Sequence, residues 1–398
     1  MISVAEALNI VMSNPYQTTV SAIPLLSSVG RTLAEDILAD RDFPPFNRVA
    51  MDGLAFCFDE VDFQKIIIEN IQFAGEAQKA LRDNTKGIEV MTGAILPLGC
   101  DTVLRYEDIN IESINDMKVA SITIVKEEIR KGQNVHLQGS DRKAEDVLLQ
   151  KGIKISPAEI AVMATVGKSV VKVNSTPKIA IISTGDELVD IDVSPLPYQI
   201  RSSNAFMLAA ALQQIGIEAS TFHLIDEEAI LYQKLQEIIT SHDILLLSGG
   251  VSAGKKDYVP AILADLGLEK LFHKVAQKPG KPMWFGKTQE GKIVFALPGN
   301  PVSTFLCFCK YVLPTLKGGI KNEQVILDKD IVFKPDLSYF VPVKTYFEAG
   351  KMLATPFEGS GSADFANLTD CDGFVELPAD KQVFKTGEVF GFVRFRGL

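Results

Sequence analysis

Between Lys178 and Leu316, short unbroken apolar runs alternate with segments that are apolar at every third or fourth position. KIAIISTG, IEASTFHLI, DILLLSGG and KIVFALPG read as strands, three of them without a polar face. SSNAFMLAAALQQIG, EEAILYQKLQEIIT, YVPAILADLG and STFLCFCKYVLPTL read as the helices between them. Apolar strands separated by helices predict a doubly wound, mainly parallel sheet covered on both faces.

The pattern changes on either side. MISVAEALNIVM is an amphipathic helix. Residues 65–136 carry the short runs IIIENIQFAG, GIEVMTG, DTVLRY and VASITIV, punctuated by Gly, Asn and Asp, which predicts a small antiparallel β domain. In ISPAEIAVMATVG, Ser156, Pro157 and Glu159 form a capping box with proline in the first turn. Residues 325–398 return to short β runs with Gly and Pro. The expected fold is therefore multidomain α/β plus β. A mixed N-terminal domain is formed by 1–40 and 139–176, and 41–138 is a β-rich insertion within it. An α/β domain spans 177–324, and 325–398 forms a C-terminal β domain.

Composition narrows the chemistry. Forty Lys and Arg against fifty Asp and Glu leave a net charge of −10, which disfavours general nucleic-acid binding. No apolar run approaches the roughly 18 residues of a membrane span. The N-terminus has no basic lead, so no secretory signal is expected and the default compartment is the cytosol. Five cysteines, at 57, 100, 307, 309 and 371, are too irregular for a disulfide framework. The histidines at 136, 223, 242 and 273 form no pair with zinc-ligand spacing.

In open α/β sheets, ligands bind beyond the carboxyl ends of the strands. Five loops fall there: STGDEL (183–188), IDEE (225–228), SGGVSAGKKDY (248–258), KPGKP (278–282) and LPGNP (297–301). Gly-rich turns beside helix starts offer amides to an oxyanion. Carboxylates in the same loops make sense if a divalent cation sits between them and a phosphate. Neither the Walker A spacing nor G-x-G-x-x-G is present. Taken singly, Asp186 and Glu187 could be helix caps, Asp257 the N-cap of YVPAILADLG, and Lys274, Lys278 and Lys281 a solvated face.

Seven blocks in order resemble the molybdopterin molybdenumtransferase family and the matching domain of gephyrin. They are PPFNRVAMDGLA (44–55), MTGAILPLGCDTVLRYED (91–108), GSDRKAED (139–146), ISTGDEL (182–188), SGGVSAGKKDY, KPGKPMWFG (278–286) and LPGNPVS (297–303). The resemblance implies a molybdopterin-binding α/β domain, a C-terminal β-barrel and a cytoplasmic homodimer. It implies insertion of molybdenum from molybdate into adenylylated molybdopterin with release of AMP, with Mg2+ as cofactor. Carried over residue by residue, the implied catalytic set is Asp52, Thr92, Glu187, Asp257, Lys274 and Lys278. The implied substrate-binding set is Asp141, Ser248, Gly249, Gly250, Lys281, Pro298, Gly299, Pro301 and Ser362. The implied metal ligands are Glu187, Asp226 and Asp257. This chain has Asn47, Arg48 and Val49 where the family has Asp-Asn-Ser. A molybdopterin carrier without turnover, an adenylyltransferase-like protein and a scaffold are the competing readings, and contact with other cofactor-biosynthesis proteins is left open.

Overall fold

Val4, Ala7 and Val11 recur at the three- and four-residue spacing of a helix face, and they are the buried residues of α1 (Val4–Met12). Ser3 and Glu6 close a capping box over its first turn. The computed structural model describes residues 1–250, 258–319, 322–357 and 365–397. It divides into two units, residues 20–174 and residues 1–19 with 175–398. The sequence pattern groups 1–40 with 139–176. The first nineteen residues contact the α/β unit, where the apolar stripe of α1 finds its partners among Val275, Phe308 and Tyr311.

Residues 20–174 are built around six strands. They are β1 (Gly53–Phe56), β2 (Ile66–Gln72), β3 (Gly87–Val90), β4 (Thr102–Arg105), β5 (Ile109–Ile114) and β6 (Met117–Ile122), in the order β4-β1-β3-β2-β6-β5. The sheet is not wholly antiparallel as expected, since β2 and β3 run parallel. Their connection, 73–86, is a long loop that crosses back rather than a tight turn, and parallel neighbours need such a crossover. A separate layer pairs Val20–Pro24 with Val170–Asn174 and Ile37–Leu38 with Val147–Leu149. It is closed by α2 (Pro157–Thr165), which starts at the expected Ser156–Glu159 capping box. Leu33, Ile37, Met163 and Val171 form its core.

The other unit contains the alternating pattern. Its elements are β7 (Ile179–Thr184), α3 (Ser203–Gln213), β8 (Ala219–Leu224), α4 (Glu228–Ser241), β9 (Ile244–Ser248), α5 (Val259–Asp265), β10 (Glu269–His273), β11 (Trp284–Lys287), β12 (Ile293–Leu297), α6 (Pro301–Cys307) and α7 (Leu313–Lys317). The strand order is β8-β7-β9-β12-β11-β10. The first four strands are parallel, and β11 runs antiparallel to both neighbours. Alternate residues of each central strand enter opposite clusters. Ile179, Ile181, Leu246 and Phe295 pack with Leu208 and Leu212 on one face. Ala180, Ile182, Leu245 and Val294 pack with Leu231, Leu235 and Ile262 on the other. That two-sided burial is why these strands are apolar up to Ser183, Thr184 and Ser248 at their carboxyl ends. Asp186 and Glu187 are followed by the short strand Leu188–Val189, so they do not cap a helix. Between α6 and α7 the chain makes a π-turn at Phe308–Val312.

Residues after 322 form β13 (Glu323–Leu327), β14 (Ser338–Glu348), β15 (Lys351–Pro356), β16 (Gly373–Leu377) and β17 (Val389–Arg394). The order β14-β15-β13-β17-β16 returns to β14, giving a closed five-stranded barrel. Val325, Val343, Val375 and Phe384 fill it. Gln277–Lys278 runs parallel to Ser338–Tyr339 on the outside of β14. Among the described residues, no helix is long and apolar enough to cross a membrane.

Candidate active site

The register of the six-stranded sheet brings five turns to one edge. Thr184 lies beside Leu224, Ser183 beside Ser248, and Ser248 beside Leu297. Ala296 lies opposite Trp284, and Trp284 opposite His273. The chain leaves the sheet at this row into 185–187, 225–227, 249–250, 298–300 and 274–283. Six strands at about 4.8 Å spacing make the row roughly 24 Å wide. Glu187 and Asp226 therefore lie on one flank. Ser248, Gly249, Gly250, Pro298, Gly299 and Pro301 occupy the middle, and Lys274, Lys278 and Lys281 the other flank.

At the acidic flank, the Asp226 amide donates to Asp186 Oδ1 at 3.2 Å. The Glu187 carboxylate folds back over Gly185, where an added Cβ would lie 2.6 Å from Glu187 Oε2. Gly185 has φ 139°, so only glycine satisfies both the backbone and the carboxylate. Among the described residues, no three His, Cys, Asp or Glu side chains converge as a metal site. Asp257, the third expected ligand, lies outside the described residues, as does Ser362.

Asn204 binds the middle of the row together. Its Nδ2 lies 2.9 Å from Ser248 Oγ and 2.7 Å from the Gly299 carbonyl oxygen. Thr304 Oγ1 donates to the Pro298 carbonyl at 2.5 Å. These bonds tie the SGG turn to the LPGNP turn from the start of α3 and from α6. The SGG and LPGNP turns also touch directly, since a Cβ on Gly299 would sit 3.8 Å from Gly249 Cα, and the SGG turn lies against the STG turn, where a Cβ on Gly249 would sit 2.9 Å from the Thr184 carbonyl. Beside them is a cavity of about 610 Å³, lined by Asn204, Met207, Pro301, Phe305 and Phe395 among others. Two buried polar atoms beside these turns, Asn204 Oδ1 and Thr184 Oγ1, have no hydrogen-bond partner among the described residues. Asn204 escaped the sequence reading because SSN looks like an ordinary helix start.

The basic flank is held from beneath. Gln277, fully buried, donates from Nε2 to the Pro279 carbonyl at 3.1 Å and accepts the Tyr311 hydroxyl at 2.5 Å. Burial keeps the Tyr311 phenol well above its usual range, so it remains a donor. Lys274 has φ 73°, and its backbone is clamped by Ile2 on one side and Met283 on the other. The Lys278 ammonium lies 5.5 Å from the Phe333 ring and 5.8 Å from the Tyr339 ring, a stacked pair at the barrel. No sequence signal near KPGKP announces those rings.

Residues 20–174 carry the rest of the expected set. Asp52 precedes β1 and accepts the Thr92 amide at 2.5 Å. That amide, with the Thr92 hydroxyl, holds the Asp52 carboxyl below its ordinary range. Gly53 is required next to it, because a Cβ there would lie 1.8 Å from the Leu104 carbonyl oxygen. The Tyr106 amide donates to the Asp52 carbonyl, and the Tyr106 hydroxyl donates to Glu89 at 2.6 Å. Four residues before Asp52, Arg48 lies opposite His136. His136 in turn contacts Asp141. The structure thus groups Asp52 with Thr92, and Asp141 with His136 and Arg48.

Comparisons with known proteins agree over the whole chain. Residues 2–167 match the MoeA N-terminal region (domain I and II), 180–318 a probable molybdopterin binding domain, and 324–395 the MoeA C-terminal region (domain IV). A molybdopterin molybdenumtransferase of Synechocystis sp. is 38% identical, the match covering 98% of this chain and 99% of the relative. One of Staphylococcus epidermidis is 31% identical, covering 98% and 94%. A crystal structure of a molybdopterin biosynthesis moeA protein from Pyrococcus horikosii superposes with a TM-score of 0.84 at 29% identity, covering 100% of both chains. With its blocks, its sheet edge and its barrel matched from end to end, this chain belongs to the molybdopterin molybdenumtransferase family.

Proposed function

We propose that this protein is the transferase that inserts molybdenum from molybdate into adenylylated molybdopterin and releases AMP. The observation that carries this reading is the row of strand ends. Amide-rich SGG and LPGNP turns lie at its centre, with carboxylates on one flank and lysines on the other. A substrate with two ring systems joined by a diphosphate is long enough to use the whole row. The exposed amides of the central turns suit its phosphoryl oxygens. Lys274, Lys278 and Lys281 suit molybdate, as compact charges. Opening of the diphosphate by water yields AMP and leaves the pterin phosphate, with molybdenum bound by the dithiolene sulfurs. Pro298, Gly299 and Pro301 keep the central anion turn stiff. Asp52 and Thr92, contributed by the second subunit of the dimer, orient the pterin end or the attacking water, and Asp141 belongs to the substrate-binding set. Asp257 and Ser362 complete the proposed set from outside the described residues.

Mg2+ belongs to this proposal, with Glu187, Asp226 and Asp257 as ligands. Mg2+ is commonly held by one or two carboxylates plus substrate phosphates, and the acidic flank offers hard oxygen donors of that kind. When bound, it would offset the charge of the diphosphate. The protein is further proposed to act as a homodimer in the cytoplasm.

The test is to incubate the purified protein with adenylylated molybdopterin, molybdate and Mg2+ and to follow products by mass spectrometry. Equimolar AMP and molybdenum-loaded pterin are expected. Tight binding of the pterin with no AMP at any molybdate concentration would mean a carrier instead.

A further inference from the structure

Arg48 is exposed, and its neighbours in the fold are specific. Its Nη2 lies 3.1 Å from His136 Nδ1, and His136 Nε2 lies 2.8 Å from Asp141 Oδ1. A guanidinium has donors only, so Nδ1 is the acceptor. The ring proton is then on Nε2 and is donated to the Asp141 carboxylate. A neutral imidazole is thereby fixed in one tautomer from both sides.

The backbone builds this chain of contacts from three segments. Arg48–Val49 pairs with Val135–His136 in a short antiparallel ladder. Asn47 Oδ1 accepts the Gln138 amide at 2.9 Å. The Asp141 amide donates to the Phe43 carbonyl at 2.9 Å. An exposed arginine on a protein with an excess of acids has many carboxylates available. Arg48 nevertheless forms no ion pair among the described residues, and Asp141 is directed to His136 instead. The imidazole takes one N–H and leaves the charge, with the rest of the planar donor fork, without a carboxylate partner among the described residues. That fork matches the oxygens of phosphoryl-type groups.

We propose that Arg48 is an oxyanion-binding residue, aimed by His136 and Asp141, whose ligand is a tetrahedral oxyanion of the reaction. Two sources share that chemistry, a phosphoryl group of adenylylated molybdopterin and molybdate itself. The inference rests on the assignment of Asp141 to the substrate-binding set. It adds that Asp141 is a positioning residue acting through His136.

Equilibrium titration tests this without requiring turnover. Molybdate, and separately adenylylated molybdopterin, are titrated onto the full-length protein and onto Arg48→Ala, His136→Ala, His136→Gln, Asp141→Asn and the Arg48→Ala/His136→Ala pair. Arg48→Ala is expected to weaken one of the two ligands about tenfold, as loss of a charge-assisted contact does. The ligand affected identifies the source of the oxyanion. His136→Ala should weaken the same ligand, and the double variant should be no worse than Arg48→Ala alone. His136→Gln should recover part of the affinity, because its amide also offers one acceptor and one donor. A merely structural role would lower the melting temperature without this ligand selectivity or rescue. Unchanged affinity for both ligands in Arg48→Ala, or an additive double variant, overturns the inference. If the protein releases no AMP yet Arg48→Ala still weakens binding, the proposed reaction fails and Arg48 keeps its role.

Discussion

The Asp52 carboxylate accepts the Thr92 backbone amide at 2.5 Å, joining the MDG and MTG turns across forty positions of chain. The bond favours the ionised carboxyl, so the native value lies below the ordinary 3.8. Its stabilising contribution is present above the unfolded value and is lost as pH falls through the lower native one. Asp52 should therefore titrate below aspartates without such a partner when its carboxyl carbon is followed by NMR. Thr92→Ala keeps the amide and should move the midpoint only part of the way back. A midpoint at or above 3.8 would remove the bond from the account.

Gly53→Ala places a methyl group on the Leu104 carbonyl. The β1–β4 ladder must open to admit it, at an expected loss of about 3 kcal/mol or more. Denaturant unfolding that shows a loss under about 1 kcal/mol would mean the two strands separate easily.

Asn204→Ala cuts the tie between the SGG and LPGNP turns. A stability loss of about 1–2 kcal/mol is expected, typical of a part-buried hydrogen-bond network. Affinity for adenylylated molybdopterin should fall about tenfold, because the anion turns lose their mutual register. Normal affinity at reduced stability would make Asn204 structural only.

Tyr311→Phe leaves the buried Gln277 amide oxygen without its donor, at a cost of about 1–3 kcal/mol. The KPGKP turn above it should loosen, raising the molybdate concentration needed for half-maximal AMP release. Lys278→Ala should raise the same concentration with little change in melting temperature. An unchanged molybdate dependence in Lys278→Ala would contradict the oxyanion role of that flank.

The sequence exposed the turns but not what holds them. Unbroken apolar strands such as ILLLS and IVFAL announced a sheet buried on both faces, and the turns after them marked its ligand edge. Ser156 and Glu159 announced the start of α2 because a capping box is local. Asn204, Gln277 and the Phe333–Tyr339 pair were not legible, because each acts on a turn supplied by a distant segment. Arg48 was not legible either, because its partner His136 is eighty-eight positions away. The parallel β2–β3 pair was likewise hidden, since strand composition alone does not reveal whether a loop returns or crosses.

In the proposed reaction one sheet edge receives the diphosphate-bearing substrate. Amide hydrogen exchange with and without adenylylated molybdopterin, before molybdate is added, tests it most directly. Slowed exchange is predicted in 183–188, 225–228, 278–282 and 297–301 together with Gly249 and Gly250. Unchanged exchange in all of these, with protection appearing elsewhere, would contradict it.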